Sequence, residues 1–131
     1  MEKQVVEIAG VSDTPDRYSA PLSPVVRAGD FLFVSGMPPM DFETGYMIPG
    51  DIETQTRKVL DNLKMVLEAS GSSLDKVVKT TVFSANAAYF DLINEIYREY
   101  FAKDFPARSF VTVGSWPAKF DVEIECVAIA G

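Results

Sequence analysis

The sequence predicts an α+β fold, a mixed sheet of about five or six strands with two helices packed on one of its faces. Three observations carry that prediction. β-Branched and aromatic runs recur along the chain, two stretches place apolar residues at helical spacing, and both helical stretches follow strand-like ones. With 131 residues, 47% of them hydrophobic, the chain is long enough for one core and too short for two ordinary domains, so residues 1–131 read as one domain.

Lys3 to Ile8 reads as a first strand, and Ser12 to Pro24, with Pro15, Pro21 and Pro24, as an irregular but ordered loop. Val25 to Ala28 and Phe31 to Ser35 form a hairpin across Gly29-Asp30, and Gly36 ends the second strand. The stretch MPPMDFETGYMIPG holds three prolines and two glycines in fourteen residues, which excludes a helix and leaves a surface loop or a pocket rim. Asp51 to Ser70 is the clearest helix: Asp51 caps it, Glu53 suits its positive end, and Ile52, Val59, Leu60, Leu63 and Leu67 form one stripe. Gly71 stops it. Lys76 to Phe83 is a strand, and Asn86 offers the cap of a second helix through Phe101, with Phe90, Ile93, Ile96, Tyr97 and Tyr100 as its apolar face. Arg108 to Val113 and Asp121 to Ile129 alternate as strands, the latter with Val122, Ile124, Cys126 and Ala128 on one face and Glu123 and Glu125 on the other. A sheet with helices on one side must hide its second face, and self-association is the economical way to do so.

Composition narrows the chemistry. Twelve basic against nineteen acidic residues give a net charge of −7, a sign that repels phosphate backbones and anionic membranes. Most of the imbalance lies in residues 1–53, with nine acids and three bases, and no basic patch offsets it. One cysteine and no histidine exclude intrachain disulfides, cysteine–histidine zinc sites and every imidazole base. Without a signal-like apolar run or a membrane-length one, a soluble protein of a reducing, cytoplasmic compartment is expected.

Carboxylates and arginine are what remains for catalysis. Arg108, at a strand start after Phe105-Pro106-Ala107, has the planar donor fork that grips a carboxylate, although an arginine so placed also serves as a solvated or acid-paired residue. Glu123, two residues before Glu125, can orient water if partly buried, or simply belong to a wet strand face. Ser35-Gly36 permits close backbone approach by a ligand or punctuates a loop; Asn94 reaches a ligand or faces solvent. Cys126 reads as a core thiol, Trp116 as a pocket wall or a packing anchor, and Met37, Met40 and Met47 as adaptable packing.

Taken together, VRAGDFLFVSG, TQTRKVLDNLKMVLEASGSSLDKVVKTTVF, YFDLINEIYREYF, FPARSFVTVG and DVEIECVAIAG resemble, in order and spacing over about residues 20–131, the Rid family of small enamine and imine deaminases, also called the YjgF/YER057c/UK114 family. The resemblance implies a chorismate-mutase-like fold and a homotrimeric barrel with ligand clefts between subunits. It also implies hydrolysis of enamine or imine carboxylic acids to a 2-keto acid and ammonia, without metal or organic cofactor. By position Arg108 matches the arginine that binds the substrate carboxylate and Glu123 the glutamate that holds the attacking water. Ser35, Gly36, Phe90 and Asn94 match positions beside the cleft. Phe110 stands where relatives often have cysteine, and Leu22 where the best-known members have tyrosine, a hydrogen bond that Tyr18 or Tyr46 would have to replace. The resemblance leaves open a larger enamine acid of the aminoacrylate or 2-aminomuconate type and a non-catalytic metabolite-binding regulator, while charge and the missing histidine weigh against a ribonuclease or other nucleic-acid partner.

Overall fold

The computed structural model describes residues 1–131. Strands β1 (Lys3–Val5), β2 (Val25–Ala28), β3 (Phe31–Met37), β6 (Val77–Ser84), β7 (Ala107–Thr112) and β8 (Val122–Ile129) form one mixed sheet in the order β1-β2-β3-β8-β6-β7. The helices α2 (Ile52–Ala69) and α3 (Phe90–Tyr100) pack on one of its faces, so the α+β expectation holds. All neighbouring strands are antiparallel except β6 and β7, which are parallel because α3 carries the chain back between them.

Local chemistry sets the elements. The Asp51 carboxylate accepts a 2.9 Å hydrogen bond from the Thr54 N–H and starts α2, whose Val59, Leu60, Leu63, Val66 and Leu67 are fully buried. Each such side chain stabilises the fold by about 1.5–3 kcal/mol relative to exposure. The predicted cap Asn86 instead closes a single 3-10 turn, Ala87–Tyr89, through the Ala88 N–H, and α3 begins only at Phe90. Val122, Ile124, Cys126 and Ala128 face the helices; burial pushes the Cys126 thiol up to about 12, as expected of a core group.

Four further differences from the sequence reading lie between β1 and the proline-rich segment. β1 stops at Val5, because the chain turns inward to bury Ile8 and Val11. The loop that follows contains a helical turn, α1 (Thr14–Arg17), started by Pro15, whose missing N–H costs nothing in a first turn. Gly36 does not end β3: the strand continues to Met37 through an irregularity in its pairing with β8. The proline-rich segment after it holds a two-strand hairpin, β4 (Met40–Asp41) and β5 (Tyr46–Met47), with Asn62 of α2 donating to the Met40 and Pro38 carbonyls.

The second sheet face has no helix on it. Val5, Val26, Phe33, Val127 and Lys79 align across it from β1 to β6, and Phe31 pairs with Ile129. Phe31, Phe33 and Ile129 are 44%, 47% and 44% exposed, so this end of the face is an apolar patch. Glu125 and Glu123 lie at its other end.

Candidate functional site

β7 alternates like any strand, and its register with β6 decides where Arg108 goes. Arg108 pairs with Thr80, whose hydroxyl is buried against the Tyr97 hydroxyl at 2.8 Å, so both residues face the helices. The guanidinium carbon lies 5.0 Å from the Tyr97 ring centroid and 5.6 Å from that of Phe90, in favourable cation–π contact. Phe110, two residues on, meets Phe90 edge-on with centroids 4.9 Å apart. Phe90, Asn94 and Tyr97 recur at helical spacing, which lines them up on the side of α3 that faces Arg108. Together with Arg98, Phe105 and Pro106 they enclose an open cleft of about 420 Å³.

Two features of this cleft point to a ligand. Arg108 makes no ion pair or hydrogen bond in its own chain, which removes the acid-paired reading of that residue. The side-chain oxygen of Asn94 is buried without a hydrogen-bond partner. A cation with five donors and an unmatched amide, held over aromatic rings, suit a small carboxylate with a polar substituent.

Glu123 belongs to a second cluster. It pairs with Phe83 on the helix-free face, and its carboxylate lies against Gly36: a Cβ on that glycine would stand 2.5 Å from the Glu123 Oε1. Burial pushes the Glu123 carboxyl above the ordinary carboxylate range, the Trp116 indole N–H partly offsets that, and the Glu125 charge adds to it. A half-buried carboxylate so tuned is a better base than a free one. Its strand is anchored at the Asp121 end by buried Gln55, which donates to the Asp121 carboxylate and the Gly50 carbonyl and accepts from the Asp121 N–H. Ser35 adjoins Gly36, but its hydroxyl donates to the Ser23 carbonyl at 2.7 Å and its N–H to the Pro24 carbonyl, so it can offer a ligand only lone pairs.

The sequence-derived residues thus fall into two groups. Arg108, Phe90, Asn94 and Phe110 cluster on the helix side of the edge strand; Glu123, Ser35 and Gly36 cluster at the end of the opposite face. One chain does not bring the two groups together. Sequence reasoning missed the site roles of Tyr97, Arg98, Phe105 and Gln55, of which only Tyr97 carried a signal, three residues after Asn94 on the same helix; Trp116, read as a pocket wall or a packing anchor, reaches Glu123. Of the two tyrosines considered as replacements for the one missing at Leu22, Tyr46 is exposed and Tyr18 donates its hydroxyl to the Gly45 carbonyl.

Comparison with known proteins identifies the family of the chain. The sequence profile of the family described as Endoribonuclease L-PSP matches residues 14–130. The chain is 45% identical over 108 residues to a RutC family protein of Pyrococcus horikoshii, covering 82% of this chain and 86% of that one. It is 37% identical over 111 residues to the human 2-iminobutanoate/2-iminopropanoate deaminase, covering 85% and 81%. A solved Rid family protein of Yersinia pestis superposes with a TM-score of 0.87 at 37% identity, covering 98% of this chain and 100% of that one.

Proposed function

Because the chain belongs to the endoribonuclease L-PSP, or Rid, family, we propose that it hydrolyses enamine and imine carboxylic acids to a 2-keto acid and ammonia, at sites built between copies of the chain in a homotrimer. The observation that carries the proposal is Arg108, a cation without an acid partner in a protein of net charge −7, set in a cleft beside an unmatched Asn94 oxygen. The name of the human relative supplies the reaction class. Absence of histidine and the acidic balance favour this chemistry over RNA cleavage.

Arg108 holds the substrate carboxylate through two parallel N–H···O bonds, and Phe90, Tyr97 and Phe110 keep the guanidinium in place. An enamine first tautomerises to the imine. Glu123 takes a proton from water as the water oxygen bonds to the imine carbon and delivers it to the nitrogen; it then takes the proton of the resulting carbinolamine hydroxyl as the carbonyl forms and passes it to the departing nitrogen, which leaves as ammonia. Proton transfer of this kind contributes about 10²- to 10⁴-fold. Since Arg108 and Glu123 lie on opposite faces of one sheet, the Arg108 cluster of one copy faces the Glu123 cluster of the next, and the exposed Phe31, Phe33 and Ile129 are covered in the same assembly.

Mixing two inactive proteins tests this. Arg108→Ala and Glu123→Gln each remove turnover, but in randomly mixed cyclic trimers about one interface in four unites an intact Arg108 with an intact Glu123, restoring about a quarter of wild-type activity. Failure of a verified mixed trimer to regain activity would refute the shared site.

A further inference from the structure

We propose that the site takes a substrate with an apolar, uncharged side chain of about the size of an isobutyl, thioether or phenyl group; this rests on the deaminase reading above. Next to Ser35 and Gly36, where the Glu123 carboxylate lies, a recess of about 130 Å³ opens between the α1 segment and the stretch from the end of β3 into the β4–β5 hairpin. Its walls include Val11, Tyr18, Leu22, Met37, Met40 and Phe42, and no Asp, Glu, Lys or Arg lines it. Apolar cavities of comparable size, about 150 Å³, accept benzene.

The hydroxyl donors of the recess are already matched within the chain. The Thr14 hydroxyl donates to the Val11 carbonyl at 2.7 Å, the Tyr18 hydroxyl to the Gly45 carbonyl, and the Ser35 hydroxyl to the Ser23 carbonyl. A carboxylate side chain entering here would lose water without gaining a hydroxyl donor, whereas an alkyl or aryl group gains by leaving water. Met37 and Met40, flexible and polarizable, let the recess fit chains of different branching. Leu22 extends the apolar wall to the mouth. The same lining opposes a dicarboxylic enamine, whose second carboxylate would sit in this recess near Glu123.

The test compares imines generated in situ by amino-acid oxidases from alanine, leucine, methionine, phenylalanine and glutamate, trapped with semicarbazide, using the assembled wild-type protein. The expected result is a kcat/KM for the leucine and methionine imines at least about tenfold above that for the alanine or glutamate imine. Leu22→Glu, at a position 52% exposed and therefore tolerant, should reduce the leucine-to-alanine ratio by about the same factor. Equal constants for the alanine and leucine imines, or a preference for glutamate, would overturn the side-chain assignment and leave the deaminase reading standing. Acceleration of none of the five would overturn both. Competitive inhibition by 4-methyl-2-oxopentanoate and by 2-oxopropanoate checks the wild type independently: the branched keto acid should bind at least about tenfold more tightly, and equal inhibition would count against the recess.

Discussion

Gly36→Ala isolates the positioning of the Glu123 carboxylate from the stability of the fold. The added Cβ would stand 2.5 Å from Oε1, 2.8 Å from Cδ and 3.2 Å from Oε2 of Glu123, whereas ordinary contact begins at 3.4 Å. Oε1 must therefore retreat by about 0.9 Å. A displacement of about 1 Å in a catalytic group costs about 10²-fold in rate, or about 2.7 kcal/mol in barrier height. The backbone itself accepts alanine, because Gly36 lies outside the left-handed region, and the stiffer unfolded chain adds about 0.4–1 kcal/mol of stability. The atoms displaced are the end of a flexible side chain, so the melting temperature should hold or rise by a few degrees while kcat/KM falls about 10²-fold. The assay is the semicarbazide competition with an oxidase-generated imine, run beside a thermal melt. Adding Gly36→Ala to Glu123→Gln should cost nothing further, since the carboxylate has then already been lost. Wild-type kcat/KM in a folded, assembled Gly36→Ala protein would refute the role given to Glu123.

Other perturbations separate the remaining contributions. Arg108→Lys keeps the charge but not the fork, and should lower kcat/KM at least about tenfold, with Arg108→Ala at background; as Arg108 has no ion pair to lose, thermal melts should change by only the ~0.5–1 kcal/mol of its cation–π contacts. The acid limb of the kcat/KM profile should lie above the usual glutamate value of 4.5, because Glu123 must be ionised to act as a base and burial raises its pKa; Glu125→Gln removes the like charge and should move the limb to lower pH. Linkage gives stability the opposite sense: the fold favours protonated Glu123, so its stabilising contribution is full below 4.5 and is lost as pH rises through the raised folded value. Melts of Glu123→Gln should show its stability growing relative to wild type across that window, and a constant difference would contradict the burial argument.

Much of the fold was legible because local chemistry and periodicity agreed. The Asp51 cap, the buried α2 stripe and the alternation of β8 came from neighbouring residues whose signals do not depend on the rest of the chain. The extent of β3 was not legible, since glycine after serine punctuates a loop and enters an irregular strand equally well, and only pairing with β8 separates the two. Nor was the relation of Arg108 to Glu123. Alternation gives each side chain a face relative to its own strand, but which faces coincide is fixed by register, here Arg108 with Thr80 and Glu123 with Phe83. The apolar recess escaped notice because it draws on α1, Leu22, β3 and the β4–β5 hairpin, whose residues show no common period.

The separation of Arg108 from Glu123 by the thickness of a sheet also makes the proposed activity a matter of mass action. If a working site exists only where two copies meet, dilution below the dissociation constant of the assembly extinguishes turnover without unfolding a single chain, and specific activity becomes a gauge of assembly. A substrate that spans both clusters binds the assembled form alone, so it draws the equilibrium toward its own catalyst. Scarce protein and scarce substrate then compound each other, and the response to a rising metabolite is steeper than simple saturation.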